Sequence, residues 1–143
     1  DMQEACGLAQ LERLPEFIQK RNKNFVYLKN KLSKLTEFID LPQATENSTP
    51  SWFGFPITLK ENIDRVEFIK YLDKKKIGTR LLFAGNLVKQ PYFNDVKYRI
   101  FGKLTNTDIT MNKTLWLGIY PEISQEMLEY VATEIEFFFG ENK

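Results

Sequence analysis

Histidine is absent from this sequence, so a Ser-His-Asp triad, a Cys-His pair or a zinc site built on imidazole cannot come from these residues alone. Cysteine occurs once, at Cys6, which excludes an internal disulfide or a thiolate cluster. No apolar run approaches the roughly 18 residues that span a bilayer, and no basic-then-apolar leader opens the chain; a soluble, cytoplasmic protein without a membrane partner is expected. Net charge is scarce, with 20 Lys and Arg against 19 Asp and Glu. A protein that grips nucleic acid through phosphates needs a basic surplus, so no nucleic-acid partner is expected. Motifs for self-contained chemistry are missing as well: no G-x-G-x-x-G, no Walker phosphate loop, no G-x-S-x-G elbow.

What remains is 143 residues, 43% of them apolar, enough for one domain with a real core. The even charge conceals a gradient: residues 60–103 carry a local +6 and residues 104–143 a local −5. That pattern fits either an anion site beside a solvated acidic helix or two halves that attract each other. Glu134 and Glu136 flank an apolar stripe and are expected to be solvated, not catalytic.

The chain starts without Met inside a helical pattern, Met2, Ala5, Cys6, Ala9 with Leu8 and Leu11, and reads as the end of a longer protein. Cys6 falls on that apolar face as a buried thiol, and Gly7 would admit a close neighbour. Pro15 suits the first turn of a second helix, carried by Phe25, Leu28, Leu32 and Leu35 to about Phe38. Residues 1–38 are thus expected to form a helical pair that joins the domain to a larger one. Asp40 to Pro50 is a loop, and Trp52 to Leu59 an aromatic, β-branched strand in which Pro56 implies an edge or a bulge. Asp64 and Glu67 have capping-box spacing ahead of a third helix that Lys74–Lys76 and Gly78 bring to a stop. Ile77 to Phe83 reads as a strand, Gly85 to Lys103 as a long loop, Thr107 to Met111 as a helical turn and Thr114 to Tyr120 as a strand. Ser124 caps a last helix whose stripe is Met127, Val131, Ile135 and Phe138. The pattern predicts an α/β chain of the α+β kind: a three-stranded sheet with helices mainly on one face.

One constellation has binding chemistry: Thr79-Arg80, then Phe83-Ala84-Gly85-Asn86, then Gln90-Pro91-Tyr92-Phe93. Arg80 offers a planar fork to phosphate or carboxylate, and Asn86 a donor and an acceptor for a sugar hydroxyl. Trp52 and Tyr92 can stack on a ring. The competing reading is a structural ion pair at Arg80 and aromatics that fill the core.

Asp1-Met2-Gln3 through Gly7-Leu8-Ala9-Gln10-Leu11, then Arg21 and Gly78-Thr79-Arg80, closely resemble the C-terminal part of DegT/StrS-type sugar aminotransferases. Those are fold-type I pyridoxal phosphate enzymes of nucleotide-linked keto sugars, and the resemblance covers essentially the whole chain. Ser51-Trp52-Phe53-Gly54-Phe55-Pro56, Leu81-Leu82-Phe83-Ala84-Gly85-Asn86-Leu87 and Asn112-Lys113-Thr114-Leu115-Trp116-Leu117-Gly118 resemble the branch of 3-dehydratases. That branch includes enzymes that deoxygenate CDP-4-keto-6-deoxyglucose in lipopolysaccharide O-antigen dideoxysugar biosynthesis. The resemblance implies a small C-terminal domain whose Arg80, Asn86, Trp52, Phe53 and Tyr92 approach a nucleotide-linked keto sugar, with no catalytic or metal-ligating residue of its own. Pyridoxal or pyridoxamine phosphate would sit mainly in a preceding large domain. A homodimer, a reductase partner and, in some members, an iron–sulfur cluster are also implied. A sugar aminotransferase of the same family, or a non-catalytic binding module, are the alternatives.

Overall fold

The computed structural model describes residues 1–60 and 62–141. Asp1 opens helix α1, Met2–Leu32, with a capping box: its carboxylate accepts from the N–H groups of Gln3 and Glu4, and Glu4 returns the bond. The expected pair of helices is this single one, with Pro15 inside it. Pro15 withholds the donor due to the Leu11 carbonyl, but residues 1–16 are all exposed and water can take its place. Cys6 is accordingly exposed, not buried, and nothing lies within 4 Å of where a Cβ on Gly7 would be. Burial begins in the second half, where Phe25, Leu28 and Leu32 enter the core as their spacing predicted. The helix stops six residues short of Phe38, because Ser33 turns its hydroxyl and its N–H onto the Asn30 carbonyl and a 3-10 turn, Ser33–Leu35, follows.

The sheet has four strands, one more than expected, in the order β1-β2-β4-β3 with antiparallel neighbours throughout. The additional strand is β1, Ile39–Asp40, two residues paired with Leu59 and Thr58 of β2, Gly54–Leu59. A two-residue strand has no period to read. Pro56 fits because β1 reaches only to Thr58, leaving that stretch of β2 an open edge. Strand β3 is Thr79–Leu81, shorter than expected, and β4 is Thr114–Gly118. Phe55, Ile57 and Leu59 alternate inward with Leu115 and Leu117, onto a core completed by α1 and by helices α2, Arg65–Lys74, and α4, Gln125–Glu141.

Asp64 caps α2 through the N–H groups of Val66 and Glu67. Its stop falls at Lys76, whose φ of 61° lets Ile77 donate back to Leu72 at 2.9 Å, instead of at Gly78. On α4 the buried face is Leu128, Ala132, Ile135, Phe138 and Phe139; the predicted Met127 is exposed and Val131 only half-buried. Rows spaced by four residues drift around a helix of 3.6 residues per turn, which moves the buried row one position on. Glu134 and Glu136 are not free in solvent: Glu134 pairs with Lys75 at 3.0 Å and accepts from the Tyr71 hydroxyl, while Glu136 pairs with Lys34 at 2.9 Å. The long loop holds two 3-10 turns, Leu87–Lys89 and Pro91–Phe93, and leads to α3, Thr105–Lys113, longer than the turn expected there.

Candidate functional site

Inward Leu115 and Leu117 leave Trp116 on the outer face of β4, where the register sets it between Pro56 and Arg80. Glycine at position 54 is what lets the indole lie down: a Cβ there would stand 2.5 Å from Cε3 of Trp116. The indole Nε1 donates to the Leu81 carbonyl at 3.2 Å, which ties the ring to the edge strand. Arg80 extends over it, with Cζ 5.9 Å from a ring centroid, and Phe53 meets it edge-on at 5.3 Å and 75°.

Two further bonds draw the surrounding segments together. The Phe53 carbonyl accepts from Ile119 N–H at 2.9 Å, continuing the β2–β4 pairing beyond Gly54, and Asn24 of α1 donates to the Tyr120 carbonyl at 3.0 Å. Arg21, one turn before Asn24, thereby joins Arg80, Trp116, Phe53, Thr79 and Tyr120 around a hollow of about 480 Å³. No carboxylate lines it, and among the described residues neither arginine makes an ion pair. Arg21 Nε is buried with no hydrogen-bond partner among them. A buried donor without an acceptor is costly. Two guanidiniums without an ion pair, one of them with an open buried donor, have the chemistry for planar, forked recognition of phosphate or carboxylate.

On the other side of Phe53 and Trp116 lies a second hollow of about 360 Å³, which Trp52, Pro56, Leu82 and Phe83 complete. Arg80, Phe53 and Trp52 of the sequence-predicted site are therefore brought together. Trp52 also stacks on Phe25 at 4.2 Å, so this residue is core and hollow wall at once. Asn86 is different. It is 2% exposed, donates to Asp108 at 2.7 Å and accepts from Val88 N–H, and it lines neither hollow. The neighbouring Lys89 ammonium, 2.7 Å away, and the Asn86 amide hold the Asp108 carboxyl below its ordinary pKa, and the trio pins the long loop to α3. Tyr92 also lines neither hollow; it is exposed and packs against Phe93 at 5.0 Å. Sequence reasoning missed Trp116 and Tyr120 as site residues, and gave Arg21 no role. The signal for Trp116 was its place between two inward leucines on a strand.

Among the described residues no group of His, Cys, Asp and Glu could hold a metal ion, and no helix is long and apolar enough to cross a membrane. The residues lining the arginine hollow include no carboxylate, histidine or lysine.

Residues 1–136 match the DegT/DnrJ/EryC1/StrS aminotransferase family. The chain is 63% identical over 144 aligned residues to the lipopolysaccharide biosynthesis protein RfbH of Salmonella typhimurium, across 99% of this chain and 33% of that protein. It is 41% identical to a dTDP-4-dehydro-2,6-dideoxy-D-glucose 3-dehydratase of Saccharopolyspora spinosa, across 99% of this chain and 31% of that protein. The fold superposes on E. coli GDP-4-keto-6-deoxy-D-mannose-3-dehydratase with bound hydrated PLP at a TM-score of 0.78 and 27% identity, covering 90% of this chain and 33% of that one. The chain thus spans about a third of the length of the relatives it matches. The family match over nearly the whole chain, the identity to these relatives and the shared fold agree: the chain belongs to the DegT/DnrJ/EryC1/StrS aminotransferase family.

Proposed function

We propose that this chain is the C-terminal portion of a pyridoxal or pyridoxamine phosphate-dependent nucleotide-sugar 3-dehydratase, which removes the C3 hydroxyl of CDP-4-keto-6-deoxyglucose in lipopolysaccharide O-antigen dideoxysugar biosynthesis. Its own share of the work is to hold the anionic diphosphate end of the substrate. The observation that carries this is the hollow of Arg21 and Arg80, free of carboxylates and holding a buried donor without a partner. A diphosphate offers acceptors in the geometry that two guanidinium forks satisfy. The identity to a lipopolysaccharide biosynthesis protein and to a sugar 3-dehydratase supports the choice of substrate and reaction.

Pyridoxal or pyridoxamine phosphate is not assigned to the arginine hollow, which the diphosphate takes in this reading, and no step of the reaction is derived through it from these residues. It belongs to sequence beyond these residues, as does any iron–sulfur cluster, toward which the single Cys6 could give one ligand at most. The exposed first half of α1 would meet that remaining portion, in a homodimer whose reductase partner docks elsewhere. The test is calorimetric titration of the full-length enzyme with CDP, comparing wild type with Arg80→Ala and Arg21→Ala. Each variant should bind CDP more weakly while melting near wild type; wild-type affinity in both would remove the diphosphate from this hollow.

A further inference from the structure

We infer that the apolar hollow beside the arginines seats the base of the nucleotide, and that Phe83 is the residue that stacks on it. The inference rests on the nucleotide-sugar reading above and adds a subsite to it. Its first support is position. Phe53 and Trp116 form one wall shared by both hollows, so a ligand whose phosphates lie at Arg21 and Arg80 carries its other end across that wall. The second is chemistry. Trp52, Phe53, Pro56, Leu82, Phe83 and Trp116 present faces and methyl groups with no charged side chain among them, which suits the π-face of a base better than a sugar rich in hydroxyls.

The third support is Phe83 itself. Its φ is 50°, a backbone conformation rare for any L-residue and rarest for bulky ones. The residue is 80% exposed in this chain and pairs with no other ring among the described residues. The positive φ acts against the fold, and no ring pairing among the described residues offsets it. The turn is nonetheless held firmly: Phe83 N–H donates to the Leu81 carbonyl at 2.8 Å and Gly85 N–H to the Leu82 carbonyl at 3.2 Å. Behind it Gly85, at φ 64°, sits so close to Met111 that a Cβ would come within 2.6 Å of it, which seats the turn on α3. A strained residue that the surroundings fix in place, at the rim of a hollow, is the pattern of a ligand contact.

The experiment titrates the full-length enzyme with two probes, CDP and inorganic pyrophosphate, in wild type, Phe83→Gly and Phe83→Tyr. Wild type should bind CDP about tenfold or more tighter than pyrophosphate, the advantage a stacked base confers. Phe83→Gly should erase most of that gap, leave pyrophosphate affinity unchanged, and melt at or above wild type because glycine accepts the positive φ freely. Phe83→Tyr should keep the gap. Should Phe83→Gly lose the fold, Phe83→Asn, which also tolerates this conformation, makes the same comparison. An unchanged CDP-to-pyrophosphate ratio in a folded Phe83→Gly or Phe83→Asn protein overturns the base subsite while leaving the diphosphate site standing. If wild type binds neither probe, the nucleotide reading itself fails and the subsite goes with it.

Discussion

Trp116 shows how one side chain's pose depends on what its neighbour lacks. The indole rests on Gly54 with no room for a methyl group, so Gly54→Ala must push the ring or the strand aside. Overpacking of this kind costs about 1–3 kcal/mol, and here it also displaces the surface over which Arg80 lies. Gly54→Ala should therefore lower the melting temperature and weaken CDP binding together, whereas Arg80→Ala should affect binding alone. A hydrogen bond to a charged group contributes about 1.5–3 kcal/mol, so Arg80→Ala is expected to weaken CDP roughly 10- to 100-fold. Arg80→Lys restores part of that, since an ammonium lacks the fork. Loss of stability in Arg80→Ala with unchanged affinity would make Arg80 a structural residue and undo the assignment. Residues of this kind were only half legible in the sequence. Arg80 and Phe53, named from side-chain chemistry, line one hollow, but Asn86 has the same donor and acceptor whether it faces a hollow or, as here, bonds Asp108. Burial decides between them, and burial is a property of the fold.

Elements were legible where their period was long. The second half of α1, helix α2 with its Asp64 cap, and strands β2 and β4 follow apolar spacings of three and four or of two, and each formed close to where those spacings put it. β1 escaped notice because its two residues are held by pairing with Leu59 and Thr58 and not by any local pattern. The single helix through Pro15 is the opposite case, a local signal that tertiary structure does not reinforce. Since residues 1–16 are exposed, the segment before Pro15 adds little to the core and should open without the rest. Proline in a helix interior costs about 3 kcal/mol. Pro15→Ala in the 143-residue chain should consequently raise helical circular dichroism and slow amide exchange in residues 2–14, leaving the main thermal midpoint where it was. A midpoint that rises in step with helicity would mean that the first half of α1 belongs to the cooperative core.

The charge gradient finds its explanation only in the whole molecule. The acidic C-terminal stretch is drawn onto basic residues of other elements: Glu122 meets Lys20, Glu129 meets Lys31 and the Tyr27 hydroxyl, Glu134 meets Lys75, and Glu136 meets Lys34. Three of these four lysines lie in residues 1–40 and only Lys75 in the basic stretch 60–103, so the acidic side is drawn mainly to the first part of the chain, while Arg80 makes no ion pair among the described residues. These contacts set the pH response. The Lys31 ammonium and then the Tyr27 hydroxyl hold the Glu129 carboxyl below its ordinary pKa, and the Tyr71 hydroxyl and Lys75 do the same for Glu134. A carboxylate whose pKa is lower folded than unfolded stabilises the fold fully above its unfolded value, about 4.3 for glutamate, and that contribution is lost as pH falls through the lowered folded value. Lys31 has the opposite sign: its pKa is raised, first by the Glu129 contact, so its contribution stands below the unfolded lysine value and disappears only in strong alkali. Between these limits, near neutral pH, the contacts of α4 with α1 and α2 are at full strength. The melting temperature should be flat around neutrality and fall on acidification from about pH 4.3, and added salt should shrink that fall because the pairs are partly exposed. The combined Glu129→Gln and Glu134→Gln variant should melt lower at neutral pH yet lose less on acidification, and the two curves should converge in acid. As a control, Asp95→Asn removes an exposed carboxylate from the long loop and should leave the curve's shape alone. Parallel curves for wild type and the double variant would show that these carboxylates do not set the acid limit.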